Sequence, residues 1–310
     1  MWRLHGLPYL PLVGRSARVS APGGGTAGVH WTPMKRACVI GWPVAHSRSP
    51  VIHRYWLKLY GLDGAYEMEA VRPEEIEGFL KGLGERGYAG ANVTLPHKEA
   101  ALAAADRPDE AATTIGAANT LWLDDKGLLH AANTDTYGFM THLSAEAPEW
   151  NKGKRPVVVL GAGGAARTIL NGLIAAGASK ILLANRTEGR AKALAEGFGA
   201  SVSVIPWEER NSALAGCGLL VNATSLGMTG KPALDIDLSA LPADAIVADI
   251  VYSPLETPLR AAAKAHGNRT VDGLGMLLHQ AVPGFERWFG VRPVVTPELR
   301  ARVVAHLKAP

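Results

Sequence analysis

The chain has 310 residues, 47% of them hydrophobic and 19% charged, the composition of a folded globular protein with one large or two ordinary domains. The formal net charge is +4, and Arg3, Arg15 and Arg18, in a first stretch of 33 residues without an acid, account for most of it; no Lys/Arg run with interleaved aromatics follows, which argues against a nucleic-acid partner. No apolar run approaches the roughly 20 residues that cross a bilayer, and Cys38 and Cys217 lie too far apart for a metal or redox motif, which fits a reducing cytoplasm.

Residues 1–33 are rich in Gly and Pro and are expected to be disordered. A targeting segment and a true start at Met34 are the alternatives. Gly23-Gly24-Gly25 with Pro8, Pro11 and Pro22 opposes the amphipathic helix that targeting needs. From Met34 strands and helices alternate. Ala37–Gly41 reads as a strand, Pro50–Tyr60 as a helix, Ala65–Ala70 as a strand, Pro73–Arg86 as a helix and Tyr88–Val93 as a strand. That alternation predicts a parallel sheet of βαβ units. Thr136–Ala147 is helical by period and leads through a turn at 151–156 into a second series. There Val157–Leu160, Lys180–Ala184, Ser201–Ile205, Leu219–Val221 and Ile246–Asp249 read as strands, with helices over Gly164–Ala176 and Glu188–Gly197. Residues 229–243 read as a surface loop, and Leu274–Phe289 and Pro297–Leu307 as closing helices.

The second series opens on a phosphate-binding loop. Gly161-Ala162-Gly163-Gly164-Ala165-Ala166-Arg167 follows an apolar strand and starts a helix. Gly161 permits the tight turn, Gly163 lets the backbone approach a pyrophosphate, and Ala166 keeps the helix close to the sheet. The helix N-terminus then offers N–H groups and positive potential to phosphates. In NAD-binding chains an acid stands about 20 residues on and holds the ribose 2′-hydroxyl. Here Asn185 stands there, followed by Arg186 and Thr187, and Arg190 comes one helical turn later. Guanidinium groups in that place suit a 2′-phosphate, hence NADP(H). Glu188 is the one contrary charge.

The first series carries candidate chemistry. Ser47 and Ser49, two apart, present their hydroxyls to one side of an extended segment and turn Arg48 to the other, and Ser49 before Pro50 is a natural helix cap. Two hydroxyls at a helix start suit a carboxylate. In Asn92-Val93-Thr94-Leu95-Pro96-His97-Lys98, Pro96 is expected to open a helix with Lys98 in its first turn. The dipole opposes a cation there, which suits a group that gives up a proton. Asn119 can bond a diol, and Asp135 opens the connecting helix. Lys98 and Asp135 brought together would form a proton-transfer pair.

These motifs resemble those of shikimate dehydrogenases. The resemblance runs from Gly41-x-Pro43-x-x-His46-Ser47-x-Ser49-Pro50-x-x-His53 to Asp272-Gly273-Leu274-Gly275-Met276-Leu277-Leu278-x-Gln280-Ala281. It takes in Asn222-Ala223-Thr224-Ser225-x-Gly227-Met228 and Asp249-x-Val251-Tyr252-x-Pro254 between them. It implies two α/β domains with a cleft between: a substrate domain over 34–134 plus 274–310, and a Rossmann-type, doubly wound NADP domain over 135–273. The implied reaction is the reversible NADPH-dependent reduction of 3-dehydroshikimate to shikimate in aromatic amino-acid biosynthesis. Ser47 and Ser49, assisted by Tyr252, would hold the carboxylate. Thr94, Lys98, Asn119, Asp135 and Gln280 would contact the hydroxyls and the reacting oxygen, with Lys98 and Asp135 as the catalytic pair. Gly161, Ala162, Gly163, Gly164 and Ala165 would cradle the pyrophosphate, and Asn185, Arg186, Thr187 and Arg190 would read the adenosine phosphate. Thr224, Ser225, Met228 and Gly275 would border the ribose and nicotinamide.

Of the two methionines near these motifs, Met228 and not Met276 is read as facing the cofactor. His279 stands where the family is expected to carry a small residue, and is either a surface position or part of the pocket rim. No metal is required, and the ten histidines show no ligand spacing. The expected partner is the small-molecule substrate, with no nucleic acid and no membrane, on a monomer or homodimer. A quinate/shikimate dehydrogenase of relaxed choice is the nearest alternative. A non-catalytic ligand sensor is the other; it should lack Lys98 or Asp135, and both are present.

Overall fold

The computed structural model describes residues 34–308, so the expectations for residues 1–33 lie outside the described residues. The first sheet contains β1 (Lys35–Gly41), β2 (Gly64–Ala70), β3 (Tyr88–Val93), β4 (Arg107–Pro108), β5 (Thr120–Leu123) and β6 (Leu129–Ala132), in the order β2-β1-β3-β5-β6-β4. Helices α1 (Ser49–Leu59) and α2 (Ile76–Lys81) are the crossovers that make β1, β2 and β3 parallel. The sheet is not all parallel, as the alternation predicted. After the short α3 (Lys98–Ala103) and α4 (Glu110–Ile115), β5 runs antiparallel to both β3 and β6. The cause is local. The Asp124 carboxylate accepts from the Lys126 and Leu128 N–H groups at 2.9 and 3.0 Å, and Gly127 adopts φ +76°, so the chain turns back at once as a hairpin.

Residues 73–86 form less helix than their period suggested: a 3₁₀ turn at Pro73–Glu75, then α2, ending before Gly82. Gly78, Gly82, Gly84 and Gly87 each weaken a helix, and Gly87 takes φ +79°.

Helix α5 (Asp135–Glu146) leads to the second sheet, which has β7 (Val157–Leu160), β8 (Ile181–Ala184), β9 (Val202–Ile205), β10 (Leu219–Asn222), β11 (Ile246–Asp249) and β12 (Arg269–Val271). All pairs are parallel, in the order β12-β11-β10-β7-β8-β9. The chain winds outward from β7 to β9, returns to the other side of β7 and winds outward again. The switch point lies at the carboxyl ends of β7 and β10, where such sheets hold ligands. Helices α6 (Gly164–Ala175), α7 (Glu188–Glu196) and α8 (Pro258–Ala265) are its crossovers. Residues 229–243 contain no helix or strand, but Leu234, Leu238 and Leu241 sink into the core against Val158, Leu160 and Val247, so the segment is pinned and not only superficial.

Helix α9 (Gly273–Phe289) then returns to the first sheet. It packs Leu274, Leu278, Phe285 and Trp288 among Val39, Ile52 and Trp56, and α10 (Pro297–Lys308) lies beside α1. Helix α5 instead packs Phe139 and Leu143 into the core of the second sheet. The two helices cross in close contact. A Cβ at Gly138 would lie 2.6 Å from the Met276 carbonyl, and one at Gly275 would lie 2.1 Å from the His142 ring.

Candidate active site

Strand β1 ends under the loop that carries Ser47. Ser49 is the first residue of α1 and not its cap; its N–H donates to Ser47 Oγ at 3.3 Å. Arg48 has helical angles, φ −93° and ψ −6°, and the segment is therefore not extended. Arg48 is not turned away as the period-two reading expected. It borders the same cavity as the serines, and its Nη1 lies 2.9 Å from His306 Nδ1 on α10.

Helix α3 begins at Lys98, two residues after Pro96, so Pro96 precedes the helix while Lys98 does sit in its first turn. Lys98 Nζ donates to Asp135 Oδ2 at 2.6 Å. The other carboxylate oxygen accepts from Asn119 Nδ2 at 2.8 Å. The amide of Asn119 is oriented by three donors on its Oδ1: Thr134 N (2.8 Å), Thr134 Oγ1 (3.1 Å) and Thr120 Oγ1 (3.0 Å). Asn133 Oδ1 accepts from the Asp135 N–H at 3.2 Å. The end of β6 and the start of α5 thus present Asp135 in one rotamer, aimed at Lys98.

These groups line a cavity of about 320 Å³ at the carboxyl end of the first sheet. Ser47, Ser49 and Tyr252 line it together with Thr94, Lys98, Asn119 and Asp135. Gln280 of α9 joins them, with its Oε1 3.5 Å from Asn119 Nδ2. All eight residues expected to contact substrate are brought together. Burial pushes the Tyr252 phenol above its ordinary value, and the charge of Arg48 pulls the other way. Met276, not read as facing the cofactor, also borders this cavity.

A second cavity, of about 590 Å³, faces the carboxyl end of the second sheet. Ala162, Gly163, Gly164, Ala165 and Arg190 line it, and Thr94, Lys98 and Asp135 border it as well, so the two cavities meet at the Lys98–Asp135 pair. Gly161 has φ +106°, and a Cβ there would lie 3.0 Å from the Ala223 carbonyl. A Cβ at Gly163 or Gly164 would touch nothing within 4 Å, so the backbone lies open to a phosphate at the start of α6. The residues fit a dinucleotide. Arg167, part of the loop but given no role from the sequence, extends into the same cavity from the first turn of α6.

Asn185 Oδ1 accepts from the Ala162 N–H at 3.2 Å, and its Nδ2 donates to the Thr187 carbonyl at 2.8 Å. It therefore braces the loop with the atoms assigned to phosphate. Arg186 and Thr187 are exposed beside it, and the contrary charge of Glu188 is taken up by Lys192 at 2.7 Å. Thr224 caps the turn after β10 through Asn222 (2.7 Å), while Ser225 and Met228 are exposed on that turn. Gly275 lets α5 and α9 cross against His142, where a Cβ would not fit. His279 is half-buried and stacks on His142 at 6.0 Å, lining neither cavity; burial and the neighbouring His142 push its imidazole down to about 4.

Three family models match: shikimate dehydrogenase substrate binding domain over residues 39–121, shikimate/quinate 5-dehydrogenase over 145–229, and shikimate 5′-dehydrogenase C-terminal domain over 273–295. A shikimate dehydrogenase (NADP(+)) of Nitrobacter hamburgensis is 57% identical over 90% of this chain and 97% of its own. The chain belongs to the shikimate dehydrogenase family. Another NADP(+) shikimate dehydrogenase, from Rhodopseudomonas palustris, is 58% identical over 88% of this chain and 97% of its own. Among solved members, the Thermus thermophilus shikimate 5-dehydrogenase in complex with NADP(H) and shikimate is 38% identical, with a TM-score of 0.78 over 88% of this chain and all of that one. The Corynebacterium glutamicum quinate dehydrogenase in complex with NAD is 31% identical, with a TM-score of 0.81 over 88% of this chain and 99% of its own. The family's α/β architecture, with a Rossmann-type second sheet, is the one described above.

Proposed function

We propose that the protein is an NADP-dependent shikimate dehydrogenase that interconverts 3-dehydroshikimate and shikimate. The observation that carries this reading is the Lys98–Asp135 pair, 2.6 Å apart, where the substrate cavity meets the dinucleotide cavity. The same division of the chain gives the domains: 34–134 with 274–310 for substrate, and 135–273 for NADP(H).

Ser47 and Ser49 bind the substrate carboxylate with help from Tyr252, and Thr94, Asn119 and Gln280 bind the ring hydroxyls. Bound NADP(H) supplies or accepts the hydride. Lys98 stabilises the negative charge that develops on the carbonyl oxygen and delivers the proton from Nζ. Asp135 orients that ammonium and balances its charge, and Asn119 fixes Asp135. Arg186 and Arg190 read the 2′-phosphate at the exposed end of β8, with Asn185 bracing the loop. A sensor that only binds ligand would have no use for a lysine and carboxylate so aligned. The cytoplasm is the proposed location, which suits two buried free thiols, and the working unit is a monomer or homodimer.

Rates with shikimate or quinate, each with NADP and NAD, test the reading. Shikimate with NADP is expected to exceed the other pairs by on the order of 10–100-fold in kcat/KM, the worth of one contact to a charged group. Arg186→Ala is expected to raise the KM for NADP and spare NAD. Equal rates with quinate overturn the substrate assignment, and equal losses with both cofactors overturn the phosphate assignment.

A further inference from the structure

Helices α1 and α10 wall a further cavity of about 440 Å³ that shares Ser47 with the substrate cavity and no residue with the dinucleotide cavity. Helix α1 contributes Arg54 and Lys58, and α10 contributes Arg302 and His306. Each pair is four residues apart and so lies on one face of its helix. No carboxylate lines this cavity. Met68 of β2 borders it, and the alternation of the strand turns Glu67 and Glu69 to the opposite face, where Tyr88 bonds both.

Among the described residues, Lys58 and Arg302 form no side-chain hydrogen bond or ion pair, and Arg54 uses only Nε, on the Tyr66 carbonyl at 2.8 Å. Arg54, Lys58 and Arg302 set three cations around one cavity, and like charges so placed repel. The helix dipole compensates for Lys58, which lies in the last turn of α1, but not for Arg54 and Arg302. An anion would supply what the protein lacks there.

We infer that this cavity binds a small phosphate monoester. Two guanidinium forks and an ammonium suit a dianionic head. Tyr55, with Arg302 stacked 5.9 Å from its ring centre, and Met68 form an apolar wall for the carbon body. The site is wired to the substrate cavity. Arg48 lines that cavity and bonds His306, which lines this one. A dianion here draws the Arg48 guanidinium back and adds negative potential behind the serines, so an anionic substrate binds more weakly.

The full-length enzyme, saturated with NADP so that the cofactor's own phosphate sites are filled, is titrated with glycerol 3-phosphate, with inorganic phosphate, and with sodium chloride at matched ionic strength. Glycerol 3-phosphate is expected to raise Tm by a few degrees and the KM for shikimate by about fivefold or more, with kcat unchanged. An equal response to inorganic phosphate supports a site that reads the head group. Lys58→Ala and Arg302→Ala are expected to abolish both responses and to keep the parent's kcat and KM without phosphate. A chloride effect of the same size, or an undiminished Tm shift in Arg302→Ala, overturns the site. A Tm shift with no change in KM overturns the link through Arg48. The Tm arm needs no shikimate, so it stands apart from the assignment of the enzyme's substrate.

Discussion

Among the described residues, the Lys98 ammonium pairs with one carboxylate, 2.6 Å away, and that carboxylate's second oxygen is held by Asn119 at 2.8 Å. Lys98→Ala is expected to lower kcat by about 10²–10⁴, the usual worth of a positioned proton donor, and to leave NADP binding within twofold by fluorescence titration. Near-normal turnover would remove Lys98 from the chemistry. His53 is a contrasting residue. It is fully buried and stacked on Tyr66 at 4.1 Å, and neither ring nitrogen has a hydrogen-bond partner. Burial pushes its imidazole from about 6.5 down to about 3. Between those values the unfolded chain holds the extra proton, so stability falls as pH falls, by up to about 1.4 kcal/mol per pH unit. His53→Phe keeps a ring in the stack and removes that proton. Urea melts of parent and variant should diverge in the variant's favour from pH 7 to pH 4.5; parallel curves would show that His53 is not the buried base described. Lys98, Asp135 and the serines were legible in the sequence because motif and resemblance agreed on them. Arg48 was misplaced because its helical backbone angle cannot be read from a two-residue spacing.

At the scale of elements, the second sheet was the more legible. Strands β7, β10 and β11 are buried along their whole length and apolar except for the closing Asn222 and Asp249, which is what a central parallel strand requires. Strands β5 and β6 are four residues each, and β5 is half open, so neither period stood out. The turn Asp124-Asp125-Lys126-Gly127 was the available signal for their hairpin, and Thr257-Pro258 for α8, where Thr257 Oγ1 accepts from the Arg260 N–H at 3.2 Å. Gly275 has a packing role that its sequence does not reveal, because a glycine near a cofactor and a glycine at a helix crossing look alike in one sequence. Packing separates them. Gly275→Ala would set a methyl 2.1 Å from the His142 ring and is expected to cost about 1–3 kcal/mol in urea unfolding. Part of that loss should return in the Gly275→Ala, His142→Ala double variant. Strictly additive losses would show that the two do not touch.

At the scale of the whole molecule, Asp272 ties four helices together. It caps α9 through the Gly275 N–H (3.1 Å), pairs with Arg300 of α10 (2.6 Å), and lies 4.0 Å from Arg260 of α8 and 3.6 Å from His142 of α5. Burial pushes its carboxyl up, but the hydrogen bonds and charge of Arg300, with the His142 ring close by, outweigh that and hold it well below the usual carboxylate range. A depressed carboxylate stabilises the fold above its unfolded value near 3.8 and loses that contribution as pH falls through the folded value. Asp272→Asn is expected to cost about 2–3 kcal/mol at pH 7, below the range for a fully buried pair, because solvent screens the Arg300 side. The gap from the parent should shrink in acid; a loss that does not depend on pH would assign the cost to packing.

Asp135 has a consequence for how such a protein can be reshuffled by recombination. It is the first residue of α5, whose Phe139 and Leu143 belong to the second sheet, yet its carboxylate serves Lys98 in the first. A crossover that exchanged the second sheet for another dinucleotide-binding module at residue 134 would carry the carboxylate away and leave the lysine behind. A chimaera that is to keep the Lys98–Asp135 pair must therefore be spliced after Asp135, inside the first turn of α5.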